Sequence, residues 1–294
     1  MSLLFYYGRF ALVALVSLVL LSWVHPAQED FSVLSERWSG LAVAAETLEA
    51  RPILSLDGLA ELDSPATLIM MPRVALEPGE LAALESFVDA GGVLVVLDDF
   101  GYGNEVLDGL GVDVTFSGAP LLDPLYCLTN QNMPRVAIDT QDSEKGPCTM
   151  VLNHGSWLVV ADEADVWARS SYFSYGDVDF DGSWDEGEPQ GPLPVAATCR
   201  KGRGTVVAVS DASLLINGML PAGDNLRCIQ EVTQGEVLID QVHLPDPGVD
   251  RGKRYVQGLR SALGTTAAVA AVVLAVVGFA VLHACYNRQR RYEN

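Results

Sequence analysis

Two continuous apolar runs, at residues 67–71 and 93–97, enclose a segment patterned as a helix, and this block restricts the possible folds more than any other part of the chain. Strands that read as unbroken apolar runs are buried on both faces. Pro72 stops the first run and Pro78 stands where a helix would begin. Leu81, Leu84, Phe87 and Val88 then recur at helical spacing up to Gly91-Gly92. Pro at the first helical position and Gly just past the last are the expected helix ends. Strand, helix and strand in this order form a βαβ crossover, which makes the two strands parallel neighbours in a sheet covered on both faces. The expectation is an α/β domain with an open, mainly parallel sheet.

Other elements fit around this unit. Leu34, Trp38, Leu41, Ala45 and Leu48 predict an amphipathic helix over 32–49, and a short strand follows at 52–56. A short helix at 104–110 and a strand at 112–116 come after the block. Strands are expected at 149–152, 157–161 and 166–170, and a hairpin at 195–209 turns through Arg200-Lys-Gly-Arg-Gly204. Helices at 212–220 and 225–232 complete a single domain over 28–250, with no internal repeat.

Hydrophobic segments bound this domain. Neither 10–24 nor 261–282 contains a charged residue, and a helix crossing the hydrocarbon core needs roughly 20 such positions. Cleavage of the first as a signal peptide at Ala27 is the rival reading, but His25 and Pro26 do not suit the site. Arg9 before the first segment, and Arg288, Arg290 and Arg291 after the second, place both termini in the cytoplasm; Arg251, Lys253, Arg254 and Arg260 argue against this for the second. The expected order is a stub and anchor (1–27), an extracytoplasmic domain (28–250), a basic linker (251–260), a transmembrane helix (261–283) and a basic tail (284–294). This describes a two-pass protein of the cell membrane, with membrane proteins as candidate partners.

Charge is divided unevenly. Residues 26–250 hold 37 acidic and 10 basic side chains, a net of −27. Such a field attracts cations and repels nucleic acid, which excludes that class of partner. Cys127, Cys148, Cys199 and Cys228 permit two disulfides in an oxidising compartment, with Cys127 and Cys148 the preferred pair. Unpaired core residues are the competing reading for Cys199 and Cys228.

The sharpest local signal is Asp177-Val-Asp-Phe-Asp-Gly-Ser-Trp-Asp-Glu-Gly-Glu188. It matches the twelve-residue calcium loop at each ligand position. Asp177, Asp179 and Asp181 supply carboxylates, Ser183 a carbonyl, Asp185 a contact through water, and Glu188 two oxygens. Gly182 permits the sharp turn. Pro189, Gly191 and Pro192 forbid the usual exiting helix, so an isolated loop with a structural calcium ion is expected rather than a paired sensor. The competing reading is a solvated acidic loop.

A second constellation stands at strand ends, where ligands of open α/β sheets bind. Asp98, Asp99 and Asn104 follow one strand, and Asp211, Asn217, Asp224 and Asn225 follow another. They could line a ligand crevice. Asp and Asn in such places also cap helices and tie loop backbone, and this reading is the stronger on their general habits.

Three segments carry a family resemblance: FSVLSERWSGL, MMPRVALEPGELAALESFVDAGGVLVVLDDFGYGNEVLDGLGV and PVAATCRKGRGTVVAVSDASLLINGMLPAGDN. Together they resemble the DUF4350 family of membrane-anchored proteins. The resemblance implies a fold similar to flavodoxin and the class I glutamine amidotransferases, and it carries no established activity. Asp240 and His243 resemble a recurring pair of that family. An amidotransferase needs a nucleophilic Cys after its central strand, where this chain has Asp98 and Asp99. Neither G-x-S-x-G, a P-loop nor H-E-x-x-H is present. The expected function is therefore a catalytically empty, membrane-anchored binding or scaffold domain. The alternative is a carboxylate- or metal-dependent hydrolase of an extracellular polymer, working through Asp98, Asp99 and Asp211.

Overall fold

The chain enters its sheet through a short helix, α1 (Ala42–Thr47), and the three-residue strand β1 (Arg51–Ile53). In this computed structural model, which describes residues 30–62, 65–138, 148–161 and 164–245, the crossover follows at once. β2 (Ala66–Met70), α2 (Pro78–Asp89) and β3 (Val93–Leu97) form it, with Thr67 beside Val93 and Met70 beside Val96 in parallel register. Pro78 opens α2, and the Glu80 carboxylate reaches back to the Glu77 N–H at 2.7 Å, satisfying a donor that the helix itself cannot pair. Gly92 is needed for packing: a Cβ there would run into the Phe87 ring.

Next come α3 (Gly103–Gly109), β4 (Val114–Phe116), β5 (Leu121–Leu122), β6 (Arg135–Ile138), β7 (Cys148–Val151), β8 (Leu158–Val160), β9 (Asp165–Arg169) and β10 (Tyr175–Gly176). The chain ends its described course with β11 (Pro194–Lys201), β12 (Gly204–Val209), α4 (Asn225–Val232) and β13 (Glu236–Asp240). Among the described residues, nine strands share one sheet in the order β1-β13-β2-β3-β12-β11-β9-β6-β7. The last strand thus lies between the first two. Residues alternate between its faces: Ile69, Val95, Val207 and Ile239 pack with Ile229 of α4, while Leu68, Leu94, Val206 and Leu238 pack with Leu84, Phe87 and Val88 of α2. Each such side chain contributes roughly 1.5–3 kcal/mol by leaving water, so these two layers hold the sheet.

Several expectations require correction. The sheet is mixed rather than mainly parallel: the pairings from β1 to β12 are parallel, and those from β12 through β11, β9 and β6 to β7 are antiparallel. The hairpin between β11 and β12 reverses the chain, and β9, β6 and β7 continue the alternation outward. The flavodoxin- or amidotransferase-like description therefore gives way to a large mixed α/β sheet. The flanking transmembrane helices are not supported either. Among the described residues no helix is long and apolar enough to cross a membrane. The longest, α2, has 12 residues, against roughly 20 needed for a span. The two-span membrane contact and the two-pass localisation are withdrawn on that finding, and the segments 10–24 and 261–282 that suggested them lie outside the described residues. Smaller corrections concern helices. Residues 32–41 form turns, with Leu34 and Trp38 exposed, and 212–220 reduces to a 3-10 turn at Ala212–Leu215.

Candidate cation loop and strand-end crevice

Asp98 and Asp99 leave the end of β3, and Asp211 the end of β12, and each is held by backbone amides. Asp98 is buried and accepts the Gly101 N–H at 2.9 Å and the Gly103 N–H at 2.6 Å. Burial raises its pKa against the pull of these bonds. Asp99 accepts the Phe100 N–H at 2.7 Å and faces Arg73 at 3.3 Å, and the Arg73 guanidinium stands 5.6 Å from the centre of the Phe31 ring. Asp211, fully buried, accepts Ser213 N–H and Asn153 N–H, both at 2.7 Å. Burial pushes its pKa up to about 7, with the nearby Asp99 charge adding to the rise while the backbone bonds oppose it.

The amides among the predicted crevice residues are also engaged. Asn104 takes both the N–H and the C=O of Phe116, pinning β4 to α3. Asn217 accepts from Val43 N–H and donates to the carbonyls of Ser35 and Arg37, which ties the opening turns to the strand-end loop. Asp224 and Asn225 sit at the start of α4 and line the outer edge of β7. Thr149 N–H donates to the Asp224 carboxylate, and Thr149 C=O accepts from Asp224 N–H. Val151 N–H donates to Asn225 Oδ1, and Val151 C=O accepts from Asn225 Nδ2. The outward backbone groups of both residues are thereby occupied. Each of the seven residues expected to line one crevice is engaged as a backbone tie, while Asp99 and Asp211 stay close enough for their charges to interact.

The acidic loop presents a different arrangement. Its neck is closed by strand contacts, with Gly176 N–H on Pro189 C=O and a bridge between Tyr175 and Gln190, so neither flank is helical. Inside, the buried Asp177 receives Asp181 N–H and Gly182 N–H, each at 3.1 Å, and Gly182 has the positive φ of 82° that the turn requires. Asp181 accepts Ser183 N–H at 2.7 Å. Glu188 folds back from the end of the loop: one oxygen accepts Val178 N–H at 2.6 Å and the other Asp185 N–H at 3.1 Å. Carboxylate oxygens of Asp177, Asp179 and Glu188 lie within 4.8 Å of one another, as do those of Asp179, Asp181 and Asp185. Asp179 belongs to both groups. The Asp181 N–H lowers its pKa, but slight desolvation and the charges of Asp181, Glu188 and Asp185 outweigh that bond and raise it. Gln131 Nε2 and the Tyr175 hydroxyl both donate to Gly182 C=O, docking the loop on the segment after β5.

Other features emerge only in three dimensions. His243 is buried, with Nδ1 at 2.8 Å from Asp240 and Nε2 at 3.2 Å from Glu80; the sequence pointed to Asp240 but not to Glu80. A cleft of about 580 Å³ opens at the opposite end of β3 and β12, among Val93, Asp113, Cys199, Lys201, Thr205 and Gln234. Burial, then the Asp113 charge, raise the Cys199 thiol pKa and so disfavour its thiolate. The preferred pair Cys127 and Cys148 do not meet: Cys127 bridges Pro134 before β6, whereas Cys148 pairs with Ile138 at the strand's other end.

Comparison with solved structures finds similarity at low identity. The mmIFT52 N-terminal domain is 13% identical, with a TM-score of 0.51 over 71% of this chain and 96% of that one. A β-galactosidase from Bacillus circulans sp. alkalophilus is 20% identical, with a TM-score of 0.34 over 57% of this chain and 23% of its own. Cytoplasmic Protein STM1381 from Salmonella typhimurium LT2 is 15% identical, with a TM-score of 0.38 over 65% and 80% of the two chains. No curated protein matches the sequence. A domain of unknown function, DUF4350, matches residues 33–233, and the chain belongs to that family.

Proposed function

We propose that this chain is a binding or scaffold protein whose acidic loop is ordered by one structural calcium ion. The observation that carries this reading is the convergence of Asp177, Asp179, Asp181, Asp185 and Glu188 in two overlapping groups of oxygens. Backbone amides aim Asp177 and Glu188, one from each end of the loop, so a cation would join ends that otherwise repel. Hard oxygen ligands on a flexible loop suit calcium. Exposed side chains support a binding role: Tyr172, Phe180 and Trp184 are 81%, 62% and 47% exposed on and beside the loop. The hydrolase reading needs Asp98, Asp99 and Asp211 free to face a substrate, and engagement of their carboxylates by backbone amides and Arg73 favours binding instead. Acyl transfer lacks its nucleophile, since Asp98 and Asp99 follow β3.

Isolated sites of this kind bind at roughly 0.1–1 mM. Addition of about 10 mM calcium to the EDTA-treated full chain is expected to raise its melting temperature by ~3–10 °C, with a single-site binding heat. Asp179→Asn should act in opposite directions: a higher melting temperature without calcium, because a crowded charge is gone, and a smaller rise with it. Glu188→Gln should abolish the calcium-dependent rise. A melting temperature indifferent to both EDTA and calcium, with no binding heat, would reject the ion.

A further inference from the structure

The thiols of Cys148 and Cys228 lie 3.6 Å apart, one at the start of β7 and the other on the inner face of α4, and both residues are buried. A disulfide needs its sulfurs near 2.05 Å on Cβ vectors that converge. Two buried thiols already in van der Waals contact meet the first condition, proximity of the sulfurs. Their surroundings hold them together independently: Asp224 and Asn225, one turn before Cys228, bond to Thr149 and Val151, directly after Cys148. The Cys228 thiol also donates to Asp224 C=O at 2.9 Å. Helix and strand are thus registered by several bonds that do not depend on the sulfurs.

We propose that Cys148 and Cys228 form a disulfide that fastens α4 to the edge of the sheet, by exchange with a small-molecule disulfide such as oxidised glutathione. In the first step one protein thiol, as its thiolate, attacks the external disulfide and releases one glutathione. The second protein thiolate then attacks the mixed disulfide and releases the other. Two S–H bonds and one external S–S bond are lost, one protein S–S bond forms, and two glutathione thiols carry away the protons and the electron pair. Burial raises the pKa of both protein thiols, so exchange proceeds during folding or a local opening of β7, and the closed bond is shielded afterwards. The cross-link would close a loop of 80 residues, a length at which restriction of the unfolded chain is large.

The full chain, folded with oxidised glutathione, alkylated under denaturing conditions and digested, tests this. The expected result is one peptide pair joining Cys148 to Cys228, with the other three cysteines of the chain, Cys127, Cys199 and Cys285, alkylated. Reduction should lower the melting temperature by on the order of 10 °C and leave a Cys148→Ala/Cys228→Ala protein unchanged. Should that double variant fail to fold, Cys127→Ser/Cys199→Ser/Cys285→Ser retains only the proposed pair and is expected to form the bond quantitatively. Alkylation of Cys148 and Cys228 after oxidation, or their linkage to other cysteines, would overturn the proposal.

Discussion

Asp211 and His243 show how single buried groups shape the response of this protein to pH. The Asp211 carboxyl titrates near 3.9 when unfolded and is pushed up to about 7 in the fold. A raised acid favours folding in its protonated form, so its contribution is full below about pH 4 and is lost as pH rises through about 7. His243 has the same sign. Burial lowers its pKa, but the bonds and charges of Asp240 and Glu80 more than compensate and leave it raised. Its contribution is full below about pH 6.5 and is lost as pH rises through the folded value. Urea denaturation at a series of pH values should therefore show less stability lost between about pH 5 and 8 in Asp211→Asn and in His243→Gln than in the parent. Parallel curves in all three proteins would refute the assignment. Asp211→Asn also leaves either the Asn153 or the Ser213 N–H without an acceptor, a cost of about 1–3 kcal/mol at every pH.

At the scale of elements, the sheet's two edges are protected differently. β1 is short and carries Pro52, whose ring offers no N–H to a further strand. β7 would expose a usable edge, but side chains and backbone at the start of α4 occupy it. Asn225→Ala should cost about 3 kcal/mol, since it removes two bonds to Val151 and a third to Met219 C=O. It should also promote aggregation near the melting transition, measured by light scattering during a thermal ramp. Unchanged scattering and midpoint would show that the edge is covered by other means. These ties span 74 residues, and no sequence spacing reveals them. The crossover and the β11–β12 hairpin were legible because their strands are continuous apolar runs separated by local turns. The clustering of the loop's carboxylates was legible because all of them fall within one short segment. The helix expected at 32–49 is reduced to Ala42–Thr47, because Leu34 and Trp38, although helically spaced, face solvent, so spacing without burial misled.

For the molecule as a whole, the topology has a consequence for its synthesis. β13 (Glu236–Asp240) lies between β1 and β2 and pairs with both in parallel register. While the chain is being made, β1 and β2 leave the ribosome with a slot between them that β13 fills. β2 can join β3 early, but β1 has no sheet partner until residue 240 has emerged. Long-range parallel pairing of this kind is slow and leaves apolar strand edges exposed meanwhile. A chain ending at residue 235 should consequently lack protected amides in β1 under hydrogen exchange, while β3 and β12, already adjacent, retain theirs. With β13 seated between β1 and β2, the sheet stays open on that side until this strand arrives, and the pace at which the nascent chain is released bears on when the domain closes.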